Sequence, residues 1–252
     1  IINKTTASDV VSLTADAQVT QAFTFTQGKF YTGPLANPSF VLSSPTSATY
    51  SFAAGKEIVG NVRRTGWANG SAAIFNQTNM LVTTNAGTAP NSVTVTMIPN
   101  GDPTQAEREV KRKFNFAQAG GSGFTADIRY PYATAELNTN LEGNLVPWRL
   151  VTSEWNAKTT TVTRDAAQDW INTTGIAAAD FNQEWKLADP NYTMNVTAYL
   201  RGPWNGTSMN TTMNGAGIIP LAQPYNVSPY NYTGTESVAT IPANVVDWVL
   251  IE

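Results

Sequence analysis

Apolar and polar residues alternate with a period of two along much of this chain, the signature of strands with one face buried. The pattern is clearest in Ser92-Val93-Thr94-Val95-Thr96-Met97-Ile98, where Val93, Val95 and Met97 fall on one side and the threonines on the other. Glu109–Phe116 alternates too, with its charges read as a solvated sheet face and Val110, Phe114 and Phe116 as the buried one. Phe124, Ala126, Ile128 and Tyr130 form a third such set. Shorter beats at Phe23-Thr24-Phe25-Thr26, Phe30-Tyr31, Phe40-Val41-Leu42 and Tyr50-Ser51-Phe52 predict further strands, separated by Gly, Pro and Ser clusters. No stretch holds a 3.6-residue period over four turns, so helix is expected only as one-turn pieces near 103–108 and 164–181. These elements predict an all-β chain built as an antiparallel β-sandwich, jelly-roll or immunoglobulin-like, with the three alternating sets pointing inward.

Three regions differ in texture. Residues 1–27 are polar and Thr/Ala-rich, with apolar beats at Val10, Val11, Leu13, Val19 and Phe23 and no obvious strand partner of their own. Residues 28–190 carry the sandwich. Residues 191–252 read as a smaller β module, with strands expected at Met194–Leu200 and Val245–Ile251 around a long loop rich in Asn, Gly, Pro and Tyr. Two strands do not make a stable domain alone, so this end needs a partner. A scan for a fixed-period repeat finds none.

Composition narrows the chemistry. The chain has 252 residues, enough for a sizeable core without staples. Charged residues make up only 13%, about half the usual share, and 24 Asn and 35 Thr fill the gap. His and Cys are both absent. That excludes disulfides, thiolate nucleophiles, Ser-His and Cys-His pairs, and zinc, copper or haem sites with His or Cys ligands. No cofactor is expected. A net charge of −3 favours neither nucleic acid nor an anionic membrane. No run approaches 18 apolar residues, so no helical membrane span is expected. The Thr/Asn/Gly-rich, charge-poor composition points to extracellular β structure. The start at Ile1-Ile2-Asn3 implies a signal peptide removed or lying outside this chain.

The remaining candidates weigh unevenly. The close carboxylate pairs Glu107/Glu109, Glu136/Glu142 and Asp165/Asp169 are expected to be surface groups rather than a glycosidase dyad, and no catalytic residue is assigned. Asn100-Gly101-Asp102 and Asp189-Pro190-Asn191 offer turn oxygens without the spacing of a calcium loop, so no metal site is assigned. Ten Asn-x-Ser/Thr sequons occur, Asn76 among them; in a eukaryotic secreted chain they would mean heavy glycosylation, but with this Asn and Thr content many arise by chance. Trp204, Tyr225, Tyr230 and Tyr232 sit among Asn, Thr, Gly and Pro. Such aromatics serve an interface first, internal packing second, and stacking on sugar rings third.

Two stretches carry a resemblance. Asp127-Ile128-Arg129-Tyr130, Ala135-Glu136-Leu137-Asn138, Trp148-Arg149 and Trp185-Lys186-Leu187-Ala188-Asp189 form one. Thr197-Ala198-Tyr199-Leu200-Arg201-Gly202-Pro203-Trp204-Asn205-Gly206, Ile219-Pro220-Leu221, Gln223-Pro224-Tyr225, Tyr232-Thr233-Gly234-Thr235-Glu236 and Val246–Glu252 form the other. Together they resemble modules of secreted, surface-exposed proteins of the Bacteroidota and Chlorobi lineages, many of them type IX secretion cargo. The resemblance implies an exported, non-catalytic, adhesin-like β protein. The expected function is thus an extracellular structural subunit of a surface filament, assembled head to tail with copies of itself by donation of the N-terminal segment. Val10, Val11, Leu13, Val19, Phe23, Trp204, Tyr225, Tyr230, Tyr232 and Trp248 are the expected assembly interface. The alternative is an adhesin or carbohydrate-binding module that acts on surface glycans without polymerising.

Overall fold

The structure, a computed structural model, describes residues 1–34, 38–99, 109–190 and 203–250. Its contacts divide the chain into two units, Ile1–Tyr192 and Thr193–Glu252.

The first unit begins with parallel strands. β1 (Ile2–Asn3), β2 (Val10–Ser12) and β3 (Ala17–Gln18) make a first turn around an apolar interior. β4 (Ala22–Gln27), β5 (Lys29–Tyr31) and β6 (Val41–Pro45) make a second turn beneath it. β7 (Thr49–Phe52) and the long β8 (Ile58–Thr65) make a third. Each strand pairs in parallel with its equivalent one turn away, which defines a short three-sided β-solenoid. Its interior is three columns of stacked side chains: Ile2 over Phe25 over Phe52, Val11 over Phe30 over Ile58, and Ala17 over Leu42 over Val62. Phe23, Phe25, Phe30, Tyr50 and Phe52 fill the middle with tilted and edge-on ring contacts at centroid distances of 5.2–6.4 Å, the arrangement aromatic quadrupoles prefer.

β8 joins the solenoid to the rest of the unit. Its start pairs with β5, its remainder with β6, and its other edge runs antiparallel to β11 (Ser92–Pro99). The switch between two solenoid faces occurs at Gly60, with φ +109°, where a Cβ would collide with Thr32 and Pro38; only glycine fits both demands. Beside it, the Asn61 backbone N–H donates to Thr32 Oγ1 at 2.6 Å, and Asn61 Nδ2 donates to the carbonyls of Pro38 and Phe40.

Beyond β8 the fold is the expected sandwich. β9 (Ala72–Ile74) and β10 (Leu81–Asn85) belong to one sheet; β12 (Glu109–Ala119) belongs with β11 to the other. The remaining strands are β13 (Thr125–Pro131), β14 (Val146–Val151), β15 (Glu154–Ala157), β16 (Val162–Asp165), β17 (Trp170–Ala177) and β18 (Glu184–Ala188). One sheet runs β15-β14-β18-β12-β11-β8 and continues into the solenoid strands; the other runs β16-β17-β13-β10-β9. Every pairing within these two sheets beyond β8 is antiparallel. Val93, Val95, Met97, Phe114, Phe116, Phe124, Ala126, Ile128 and Tyr130 are all buried, as the alternation predicts. Tyr130 meets Phe114, Phe116 and Trp185 from the opposite sheet. Among the described residues helix is confined to short segments, including α1 (Ala178–Phe181), which drops Phe181 into the core.

Four expectations are corrected. Residues 1–27 are not a free arm: they are the first turn and the start of the second, hydrogen-bonded within their own chain. β5, β6 and β7 pair in parallel as solenoid turns rather than as antiparallel sandwich strands, and β8 pairs both ways. The charged run of β12 is not all solvated, because Arg112 shares parity with Val110, Phe114 and Phe116 and is buried with them. Finally, Val245–Leu250 is not a strand. Side chains hold it instead: Asn214 donates to the Val245 carbonyl, Tyr225 donates to the Trp248 carbonyl at 2.7 Å, and Trp248 Nε1 donates to the Pro220 carbonyl. The expected strand at Met194–Leu200, the turn at 100–102 and the helical piece near 103–108 lie outside the described residues. Among the described residues of the second unit, α2 (Thr212–Gly215) and bridges Trp204–Met209 and Ala222–Ser237 are the regular structure.

Candidate functional site

Three places combine unusual chemistry with access. The first is a buried ion cluster at one wall of a cleft of about 600 Å³. Arg112 Nη1 lies 2.7 Å from Glu57 Oε2, and its Nε lies 2.8 Å from Glu136 Oε2. Burial pulls the guanidinium pKa down, but the two carboxylates more than reverse this, leaving it above its ordinary value. Glu136 Oε2 also accepts the Ala133 backbone N–H at 3.0 Å, closing a tight turn. Tyr132 reaches the same cleft and donates to Glu142 Oε1 at 2.7 Å. Burial, then the nearby Glu142, push its phenol pKa far up. Thr134 Oγ1 donates to Asp169, which also lines the cleft. The carboxylates expected on the surface are therefore bound into structure here, Glu136 being almost fully buried. Sequence reasoning missed Arg112 although the parity of β12 marked it. It missed Glu136 because nothing local signals a partner 24 residues away in sequence.

The second place is the open end of the solenoid, where the N-terminal candidates lie. Val11, Leu13 and Val19 point inward but are only half-buried, and Val10 points out with 54% of its surface exposed. Phe23, one turn lower, is buried, which removes it from any accessible interface. Among the described residues, β1, β2 and β3 each pair on one side only. Their remaining edges face the same way along the solenoid axis.

The opposite end is treated differently. Asn76 is fully buried; its Nδ2 donates to the carbonyls of Ile58 and Gly60, both at 2.8 Å, while its backbone carbonyl accepts the Ile58 N–H at 2.7 Å. It stands where a neighbouring strand would, and β11 covers the rest of β8. Buried in this way, Asn76 is not an accessible sequon. Within the last turn Arg64 is also buried, donating to Ser44 Oγ and to the carbonyls of Thr46 and Ala48, with its guanidinium 4.2 Å from the Tyr50 ring centroid.

The third place is the aromatic loop of the second unit. Tyr225 and Tyr230 meet edge-on at 5.3 Å, Tyr230 is 56% exposed, and Tyr232 donates to Glu236 at 2.8 Å. Trp204 is partly exposed beside Met209, and Trp248 is half-buried through its bond to Pro220. The loop thus splits into packing aromatics, Tyr225 and Trp248, and displayed ones, Tyr230 and Tyr232.

Among the described residues no group of three or more acidic side chains is placed to hold a metal ion, and no helix is long and apolar enough to cross a membrane. No protein-family model, curated protein or solved structure matches this chain.

Proposed function

We propose that this chain is a non-enzymatic structural module of an extracellular surface protein, extended by backbone pairing at its solenoid end. The observation that carries the reading is the set of three edges left open together on one end of a parallel stack. Exposed edges without protection recruit further strands. Neither Pro nor a charged residue lies within β1, β2 or β3, the devices that normally blunt an edge. The acceptor edge replaces the donated arm expected from sequence, because residues 1–20 are already engaged with their own second turn. The charge-poor surface suits repeated contacts, since few ionised groups need desolvation. The experiment is immunogold electron microscopy of native cells with antibody against the folded chain. Label along the surface or along filaments is the expected result; label confined to the cell interior overturns the reading.

A second reading has its own observation. Tyr230 and Tyr232 are displayed on a charge-poor loop, the geometry for stacking on sugar rings. A glycan array with the wild-type chain and its Tyr230→Ala variant tests it: binding that the variant loses is the expected result.

A further inference from the structure

We infer that the open end of the solenoid is the seat of one further parallel β turn, supplied by polypeptide covalently joined ahead of Ile1. This rests on the structural reading above and names the occupant of the same surface. Burial along the columns is the first support. Of the inward residues of the second and third turns, Phe25, Phe30, Leu42, Ile58 and Val62 are 0–3% exposed, while Phe52, at the other end of the first column, is half-buried. Their counterparts in the first turn, Ile2, Val11 and Ala17, are only half-buried although they pack on the same core. An end turn built as a cap would carry polar or bulky closing residues; this one carries the same inward apolar pattern as an interior turn.

Edge geometry is the second support. A strand from elsewhere can satisfy one open edge. Three edges on three faces, all calling for parallel partners, are satisfied together only by a chain that bends through the same two corners. The Asp16 carboxylate, at one corner, already accepts the Val41 N–H at 2.9 Å, and the Thr5 carbonyl, at the other, accepts from Gln27 Nε2 at 2.8 Å. The corners of the first turn are therefore spent on binding the second and do not fold over the open end.

The size of the edges selects the occupant's source. β1, β2 and β3 have 2, 3 and 2 residues, against about 20–30 residues a side in a stable interface between separate molecules. So small a ladder holds a partner that is tethered, because linkage raises its effective concentration to the millimolar range or above. A second copy of the chain, free to diffuse, lacks that advantage.

Register gives the test. Phe25 pairs with both Ile2 and Phe52, so Ile2 occupies in the first turn the place Phe52 holds in the third. A copy of residues 22–50 fused directly to Ile1 therefore enters in register. Amide hydrogen exchange within β1, β2 and β3 is measured with and without this copy. We expect slowing by about tenfold or more at all three strands, a higher thermal midpoint, and a monomer by sedimentation. A control copy with Asp in place of the inward Phe23, Phe25, Phe30 and Leu42 gives no slowing. A shorter fusion of residues 38–50 covers β3 alone and slows exchange only at Ala17–Gln18, which keeps the test decisive should the longer copy fail to fold. Unchanged exchange in both fusions overturns the inference. So does protection of these strands in the unextended chain by concentration-dependent dimerisation, which would make a second copy the occupant. Either failure leaves the surface-labelling result untouched, so the two readings fall separately.

Discussion

Arg112 shows how one position in a strand can overrule its residue type. Its parity places it inward, and β12 cannot turn it out without exposing Val110, Phe114 and Phe116. The cost of burying its charge is met by Glu57 and Glu136. Replacing it with Met, close in volume, should destabilise the first unit by about 3–5 kcal/mol in urea unfolding, because an almost fully buried carboxylate at Glu136 loses its counter-ion. Adding Glu136→Gln should recover much of that loss. Tyr130 poses the opposite case: its buried hydroxyl has no hydrogen-bond partner among the described residues, and burial raises its pKa well above 10.0. Tyr130→Phe should therefore stabilise by about 1 kcal/mol. The pH dependence follows in sign. A phenol whose folded pKa exceeds its unfolded value near 10 contributes stability that is whole below that value. Above it the unfolded chain releases the proton while the folded chain retains it, so stability falls. Urea midpoints should decline from about pH 10 upward, less steeply in the Phe variant; equal slopes would mean that Tyr130 ionises freely in the fold.

At the scale of elements, β8 decides the architecture. It pairs in parallel on one edge and antiparallel on the other, and it bends at Gly60 to serve two solenoid faces. Its first half has Asn76 in place of a neighbouring strand, which ends the stack on that face. Asn76→Ala should cost about 2 kcal/mol, since two carbonyls lose their donor in a fully buried place; proton exchange at Ile58–Gly60 should rise before global unfolding. A stability loss below about 0.5 kcal/mol would mean that water replaces the amide, which its zero exposure argues against. The alternation at Phe23–Phe25 and Tyr50–Phe52 was legible as strand, but not as parallel strand. Alternation reports which face is buried and carries no information about the direction of the partner. No fixed period marks the turns in the sequence, because the corners differ in length and each column changes residue type, Ile2 to Phe25 to Phe52.

For the whole molecule, the two units differ in how much core they own. The first has Phe, Tyr, Val and Ile side chains buried across solenoid and sandwich alike. In the second, Ile219 and Gln223 are the buried side chains among the described residues, while Ile218, Leu221, Val227 and Val249 are more than half exposed. A fragment of residues 1–192 should then unfold cooperatively on its own, because it carries that core entire. A fragment of residues 193–252 should show no cooperative transition by calorimetry, as its few buried groups cannot offset chain entropy. A sharp transition in the small fragment would mean that it carries a core of its own. The solenoid behaves as part of the larger unit, so removing residues 1–20 uncovers Phe23, Phe25 and Phe30 instead of freeing a donor arm.

The sequence by itself determined the class of this protein. Alternation at Val93–Met97, Phe114–Phe116 and Phe124–Tyr130 fixes strands, faces and an all-β core, because a two-residue period can bury its apolar side only in a sheet. Absence of His and Cys fixes what chemistry is excluded. Tertiary structure alone decided that β1 to β8 wind as parallel turns, that Arg112 and Glu136 meet, and that the outer edges of β1, β2 and β3 have no partner among the described residues. Each of these depends on which segment lies beside which, and pairing between distant segments is set by the summed burial of all the columns at once rather than by any local pattern.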